Sequence, residues 1–543
     1  MKTKYIFVSG GVISGLGKGI TVASIAKILK AKGLSVTAVK VDMYLNIDAG
    51  TIRPAEHGEV FVTADGIETD QDLGNYERFL DTELSRANYI TTGQVYQEVI
   101  RRERAFLYDG EDVEAIPHIS DEIIRRIKLA GEKNKAEVVI IELGGTVGEY
   151  QNSLFFEASR IMKLKSPKDV IHIHVAYLPI PKNLGEMKTK PVQQSVQLLN
   201  SMGIQPDFIV GRSEIAMDKR RKERIALFCN VKEEYVISNQ DLDSIYEVPL
   251  AFDKQGFGEK ILEKLSLSVK KKDLKEWMQF VEKTKTVKKI LPIAVIGKYF
   301  TNGKFVLTDV YISVIEALKH AGWANDVKVE LAWIDSEMFE KNPQKLHELD
   351  KYAGLIVPGG FGSRGVEGII AAINYARINK IPYLGLCYGM QLACIEFARN
   401  VAGMKKANTT EIDEKTKYPI IHIMPEQEKK LLNFNYGGTM RLGNYSCKLN
   451  KNTISYNCYK QPKIIERHRH RYEFNNKYRE ELENKGLVIS GVSPDDKIVE
   501  IVELDNKQHP FFVGVQFHPE FKSWPIQSHP LFKAFVAASK QRI

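Results

Sequence analysis

The chain has 543 residues and is 43% hydrophobic, enough to bury at least two cored domains. Its 77 basic and 68 acidic residues leave a net charge of +9, which suits anionic small molecules as well as nucleic acid and selects neither. No apolar run approaches the roughly 20 residues of a membrane span, and the opening MKTKYIFVSGG carries no signal-peptide core, so a cytoplasmic protein is expected.

From the N-terminus, KYIFVSG reads as a buried strand and GITVASIAKILKAKG as a helix, with a glycine-rich loop between them. Such a loop presents backbone N–H groups to an anion at a helix N-terminus, and Lys18 adds a point charge. The loop is irregular. A regular phosphate cradle runs glycine, four residues, then Gly-Lys-Ser/Thr; here Val12 stands where the first glycine belongs and Gly19 where the hydroxyl belongs. A tight glycine turn with nothing bound is the alternative. VTAVKVD, EVVIIELGG, VIHIHVAYLP and DFIVGRS continue the alternation of strand and helix that marks a parallel α/β sheet. Asp72, in the polar loop ETDQDLGNYERF, and Glu142, ending the apolar run VVIIE, both fall where open α/β sheets bind ligands. Carboxylates there can hold Mg²⁺ against phosphate oxygens, although Asp72 alone fits a solvated loop acid equally well. In GEMKTKPVQQSV, Lys188 and Lys190 precede a helix start and suit a polyphosphate, or else a solvated loop. DKRRKER at 218–224 reads as an exposed helix face.

Between 267 and 290 the chain turns basic and polar, which reads as an interdomain helix-linker. A second alternating set follows: LPIAVIGKY, KVELAWID, AGLIVPGGFG, PYLGLC and FFVGVQFHPEF. The five cysteines show an odd count and no CxxC pair, so neither a disulfide framework nor a zinc site is favoured. Cys387 is different from the other four. It sits in a Gly-x-Cys-x-Gly turn between an apolar strand and a helix, the cysteine version of the nucleophile elbow, and a helix N-terminus lowers a thiol pKa. His518 supplies a base, and Glu520, two residues on and on the same face of a strand-like stretch, would orient it. Gly360 in VPGGFG is the best candidate oxyanion donor.

One half thus handles triphosphate and the other attacks a carbonyl through sulfur. Joined, they describe an enzyme in which amide hydrolysis feeds ammonia to an acceptor activated by ATP. Hydroxide is a poor leaving group and phosphate a good one, and free ammonia is protonated by bulk water, so the two sites gain from sharing a chain.

The stretches GGVISGLGKG, KVDMYLNIDAGTIRP, HGEVFVTADGIETDQDLGNYERF, ELGGTVGEY, KTKPVQQSV, ALFCNV, PGGFGSRGVEG, GLCYGMQ, GGTMRLG, ERHRHRYEFNN and QFHPEF, in order and over nearly the whole chain, closely resemble the CTP synthase family. The resemblance implies two doubly wound, mainly parallel-sheet α/β domains: a P-loop-like synthetase domain at 1–266, the linker at 267–290 and a class I glutamine amidotransferase domain at 291–543. It implies that ATP phosphorylates the uracil 4-oxygen of UTP and that ammonia from glutamine displaces phosphate to give CTP. Carried over position by position, Gly15, Leu16, Gly17, Lys18, Gly19, Ile20 and Asp72 bind ATP, and Asp72 and Glu142 hold Mg²⁺. Ser14, Glu149, Tyr150, Gln151, Lys188, Thr189, Lys190, Pro191, Val192, Gln193 and Arg224 take the pyrimidine nucleotide, and Lys18 and Lys40 stabilise the transferring phosphoryl group. Cys387, His518 and Glu520 form the triad; Gly360, Tyr388, Gly389, Met390, Gln391, Glu411 and Arg471 bind glutamine. The family is activated by GTP, inhibited by its product and homotetrameric through the synthetase half, with filaments a further possibility. The implied partners are UTP, ATP, glutamine and GTP, with no nucleic acid and no membrane.

Several positions depart from the family pattern. RAFLYDG occupies 104–110, Glu114 replaces a glutamine, Gly148-Glu149-Tyr150-Gln151 replaces GDIE, and Arg224 replaces a lysine. All touch the region that recognises UTP or CTP, so altered UTP affinity and weakened CTP feedback are expected; Glu149 for aspartate only lengthens the arm. Tyr388, where leucine is common, is expected to be harmless because its backbone N–H is the working part. Two other readings remain: a P-loop ATPase switch with a vestigial amidotransferase domain, and another glutamine-dependent amidoligase.

Overall fold

The computed structural model describes residues 2–270, 274–298, 301–302, 305–306, 308–424, 427 and 438–543. Residues 271–273 of the expected linker, Tyr299 of LPIAVIGKY and Gly437 of GGTMRLG lie outside the described residues. The chain forms two compact units, Met1–Asp48 with Asp72–Val281, and Ala49–Gln71 with Glu282–Ile543.

In the first unit seven parallel strands lie in the order Tyr89–Thr91, Val36–Asp42, Val138–Leu143, Lys4–Gly11, Val170–Tyr177, Phe208–Ser213 and Val236–Gln240. The central strands are apolar throughout because helices cover both faces of the sheet. Phe7, Val39 and Ile141 pack on one face with Ile123 and Phe156. The two edge strands were not among the expected ones; YIT is too short, and VISNQ too polar, to give a strand pattern. The linker segment is only partly a linker. Its helix, Lys275–Thr286, buries Trp277 at 1% exposure against Phe79, with ring centroids 5.3 Å apart, and the indole N–H donates to the Tyr246 carbonyl at 2.9 Å.

The second unit holds a nine-stranded mixed sheet. Lys328–Asp335, Ile290–Gly297, Gly354–Val357, Tyr383–Leu386 and Phe512–Val515 run parallel in that order; Val499–Leu504, Leu487–Val492, Arg441–Leu449 and Lys463–His470 then continue the sheet antiparallel. The parallel half follows the expected strands. The antiparallel half was not read from the sequence, because charged residues such as Arg467 and Glu500 are buried in it and break the apolar pattern.

Ala49–Gln71 belongs by packing to this second unit although it lies within the first half of the chain. Phe61 meets Phe521 edge-on at 4.9 Å, Glu68 pairs with Arg469 at 2.8 Å, and the Ser313 N–H donates to Glu59 at 3.2 Å. The short hairpin Phe61–Val62 with Glu68–Thr69 carries the first two of these contacts. Apolar burial and a buried ion pair together outweigh the sequence proximity of this segment to the first sheet.

Candidate active site

In the first unit the glycine loop leaves the C-terminal end of the central strand Lys4–Gly11 and enters the helix Lys18–Ala31. Val12 adopts φ 84°, a left-handed conformation that β-branched residues rarely take. Val12 thus takes a backbone conformation that favours glycine at the position where a regular cradle carries one. Gly19 leaves room for a carboxylate, since a Cβ there would collide with Asp72 Oδ1. The Lys18 ammonium donates to the Gly145 carbonyl at 2.8 Å, and burial lowers its pKa, with Glu142 opposing. Lys40 lies between the two expected metal carboxylates, paired with Asp72 and, at 3.0 Å, with Glu142. The Tyr76 hydroxyl donates to the other oxygen of Glu142. Asp72, expected in a polar loop, instead opens the helix Asp72–Leu80, and Tyr76, which was missed, stands four residues on along the same helix face.

The pyrimidine-nucleotide candidates are less gathered. Thr189 precedes the helix Lys190–Ser201 and accepts a hydrogen bond from Gln193 at 3.1 Å. Lys188 pairs with Glu186. The Glu149 carboxylate curls back to accept from the Thr146 N–H at 2.6 Å and its hydroxyl at 2.7 Å, while Tyr150 is 93% exposed. Arg224 lies 5.8 Å over the Phe228 ring.

In the second unit Cys387 ends the strand Tyr383–Leu386 and opens the helix Tyr388–Asn400 with φ 48° and ψ −94°. This strained turn is what exposes a nucleophile at the top of a sheet. His518 Nδ1 lies 2.7 Å from Glu520 Oε1. The pair forms, but not along a strand: His518 precedes a 3-10 turn, Pro519–Lys522, and the turn brings Glu520 round to the ring. Burial works to lower the imidazole pKa; Glu520 and the Cys387 sulfur outweigh it and raise it to about 10. The Gln516 amide donates to Cys387 Sγ at 3.5 Å, and the His518 N–H donates to the Arg467 carbonyl at 2.7 Å. Gln516 sits in the VQFHPEF stretch but was passed over.

A cavity of about 440 Å³ opens onto Cys387, His518 and Gly360. Arg53, Glu59 and Val60 of the segment Ala49–Gln71 line it as well. Among the glutamine candidates, Glu411 accepts from the Gly362 N–H at 2.7 Å, and burial raises its pKa. Gln391 donates to the Tyr472 carbonyl at 3.1 Å, and Arg471 to Thr439 at 3.3 Å. Lys298, also missed, donates to the Phe361 carbonyl at 3.2 Å; burial lowers its pKa to about 8. Behind the triad, Arg441 pairs with Glu500 at 2.7 Å and donates to both His468 and His470, all of them buried.

An elbow cysteine with a carboxylate-oriented histidine on an α/β sheet, joined in one chain to a parallel-sheet unit with a phosphate-type loop, defines a glutamine amidotransferase coupled to a synthetase. Residues 4–267 match the family model described as CTP synthase N-terminus, and residues 306–538 match glutamine amidotransferase class-I. The CTP synthase of Caldanaerobacter subterraneus subsp. tengcongensis is 53% identical over 537 residues, 98% of each chain. That of Clostridium kluyveri is 52% identical over 542 residues, covering 99% of this chain and 98% of its own; that of Pyrococcus furiosus is 51% identical over 541 residues, with the same coverage. The chain belongs to the CTP synthase family.

Proposed function

We infer that this chain aminates UTP to CTP, using ATP to activate the acceptor and glutamine as the nitrogen source, with GTP as activator. The observation that carries the reading is the Cys387–His518–Glu520 arrangement at a cavity walled in part by the segment Ala49–Gln71. His518 takes the proton from the Cys387 thiol, the sulfur attacks the glutamine carboxamide, and the N–H groups of Gly360 and Tyr388 receive the developing oxyanion. His518 then returns a proton to the leaving ammonia. Glu520 keeps the ring oriented throughout. In the first unit Lys18 and Lys40 stabilise the phosphoryl group as it passes to the uracil oxygen, and Ser14, Lys188, Lys190, Gln193 and Arg224 hold the pyrimidine nucleotide.

Two carboxylates drawn toward one cation fit a magnesium site that is completed by substrate phosphates. Asp72 and Glu142 would hold the ion, with Lys40 giving way, and when bound it would neutralise phosphate charge. No helix among the described residues is long and apolar enough to cross a membrane; the proposal puts the enzyme in the cytoplasm. It also includes a homotetramer assembled through the first unit, which exposes Ile100, Leu164 and Leu198.

The test is CTP formation from UTP, ATP, Mg²⁺ and glutamine, repeated with ammonia and with Cys387→Ala. The variant should lose glutamine-driven synthesis and keep ammonia-driven synthesis. If both persist, Cys387 is not the nucleophile.

A further inference from the structure

Tyr388 has a side chain that does more than occupy space. Its phenol OH donates to the Gly362 carbonyl at 2.7 Å. Lys298, just past the strand Ile290–Gly297, places its ammonium 4.5 Å from the Tyr388 ring centroid. The same ammonium lies 3.2 Å from the phenol oxygen, and it donates to the Phe361 carbonyl at 3.2 Å and to the Gly362 carbonyl as well. From the opposite side, Glu411 accepts from the Gly362 N–H at 2.7 Å. Gly362 is therefore held at both its N–H and its C=O.

That grip matters because the turn is built mostly of glycine. Three of the four residues 359–362 are glycine, and the fourth, Phe361, is 56% exposed. Glycine loses more conformational freedom on ordering than any other residue. Oxyanion donors accelerate a reaction only when they are aimed before the charge develops. One of the two proposed donors, the Tyr388 N–H, is on the helix, and the other, the Gly360 N–H, is on the turn.

We propose that the Tyr388 phenol and the Lys298 ammonium are positioning residues for glutamine hydrolysis, tying the helix that carries one oxyanion donor to the turn that carries the other. The proposal rests on the reading of Cys387 as nucleophile and of these two N–H groups as its oxyanion cradle. It also departs from the expectation that Tyr388 acts through its backbone alone.

Tyr388→Phe keeps the ring and removes the hydroxyl. Its kcat for glutamine hydrolysis should fall about tenfold, roughly 1.4 kcal/mol in barrier, with KM for glutamine changed less than twofold. Tyr388→Leu should fall at least as far, and Lys298→Met should lower kcat in the same manner. Alkylation of Cys387 by iodoacetamide displaces iodide and develops no oxyanion, so its rate should match wild type in Tyr388→Phe. A kcat within twofold of wild type, a loss carried by KM alone, or an alkylation rate that falls in step with kcat overturns the proposal. Wild-type protein that still hydrolyses glutamine after complete alkylation of Cys387 instead sinks the reading on which the proposal rests.

Discussion

Replacing Gly359 by alanine tests the geometry of the thiol site most directly. A Cβ built on Gly359 would stand 2.8 Å from His518 Cε1. An ordinary carbon–carbon contact begins at about 3.5 Å, so one group must yield by about 0.7 Å. The imidazole cannot swing aside freely, because Nδ1 is bonded to Glu520 at 2.7 Å and the ring stacks on Phe521 at 5.2 Å. A misplacement near 1 Å can slow a reaction by about a hundredfold; 0.7 Å scales to roughly thirtyfold, or about 2 kcal/mol. The neighbouring Gly360→Ala is the control, since its Cβ meets only Tyr388 Cδ1 at 3.6 Å and keeps the backbone N–H. Glutamine-driven CTP synthesis, normalised to ammonia-driven synthesis, should drop in Gly359→Ala and stay within about threefold in Gly360→Ala. Equal losses in the two variants, or no loss in the first, would refute the crowding argument.

Glu68→Gln weakens a pair whose carboxylate side chain is fully buried while Arg469 keeps 23% exposure; the second unit should lose about 2 kcal/mol, less than a fully buried pair would, read as a lower denaturant midpoint. The His518 pKa is raised to about 10 from an unfolded value of about 6.5, so its contribution to stability is complete below pH 6.5 and is lost as pH rises through 10. The stability difference between wild type and His518→Asn should shrink over that interval; a difference that grows with pH would contradict the assignment. The family resemblance implies that Glu114 adds a carboxylate near the pyrimidine nucleotide, so CTP is expected to inhibit weakly, and Glu114→Gln should strengthen inhibition. Ordinary feedback in the wild-type chain would remove that idea.

Motifs in which local backbone shape dictates residue type were legible in the sequence. The elbow at Cys387 and the loop ahead of Lys18 each announce a strand, a sharp turn and a helix through glycine spacing, and both stand as expected. What escaped depends on distant partners. Lys298 and Tyr388 lie 90 residues apart and meet past the end of Gly354–Val357, the strand that lies between theirs in the sheet. The buried polar groups Arg441, His468 and Glu500 lie against one another across strands, which no periodicity reveals, and they hid the antiparallel strands. Glu520 reached its histidine, but through a turn that the alternation rule did not foresee.

The excursion of Ala49–Gln71 bears on how this polypeptide can be divided. A gene truncated to begin at the basic stretch near 282 would encode the elbow, the imidazole and the whole nine-stranded sheet, yet it would deliver Arg469 without its counter-ion and Phe521 without its aromatic neighbour. The chamber beside the sulfur would stand open along the side where Val60 now closes it. Any fission or domain exchange that respects both chemistries must carry that short loop across as cargo.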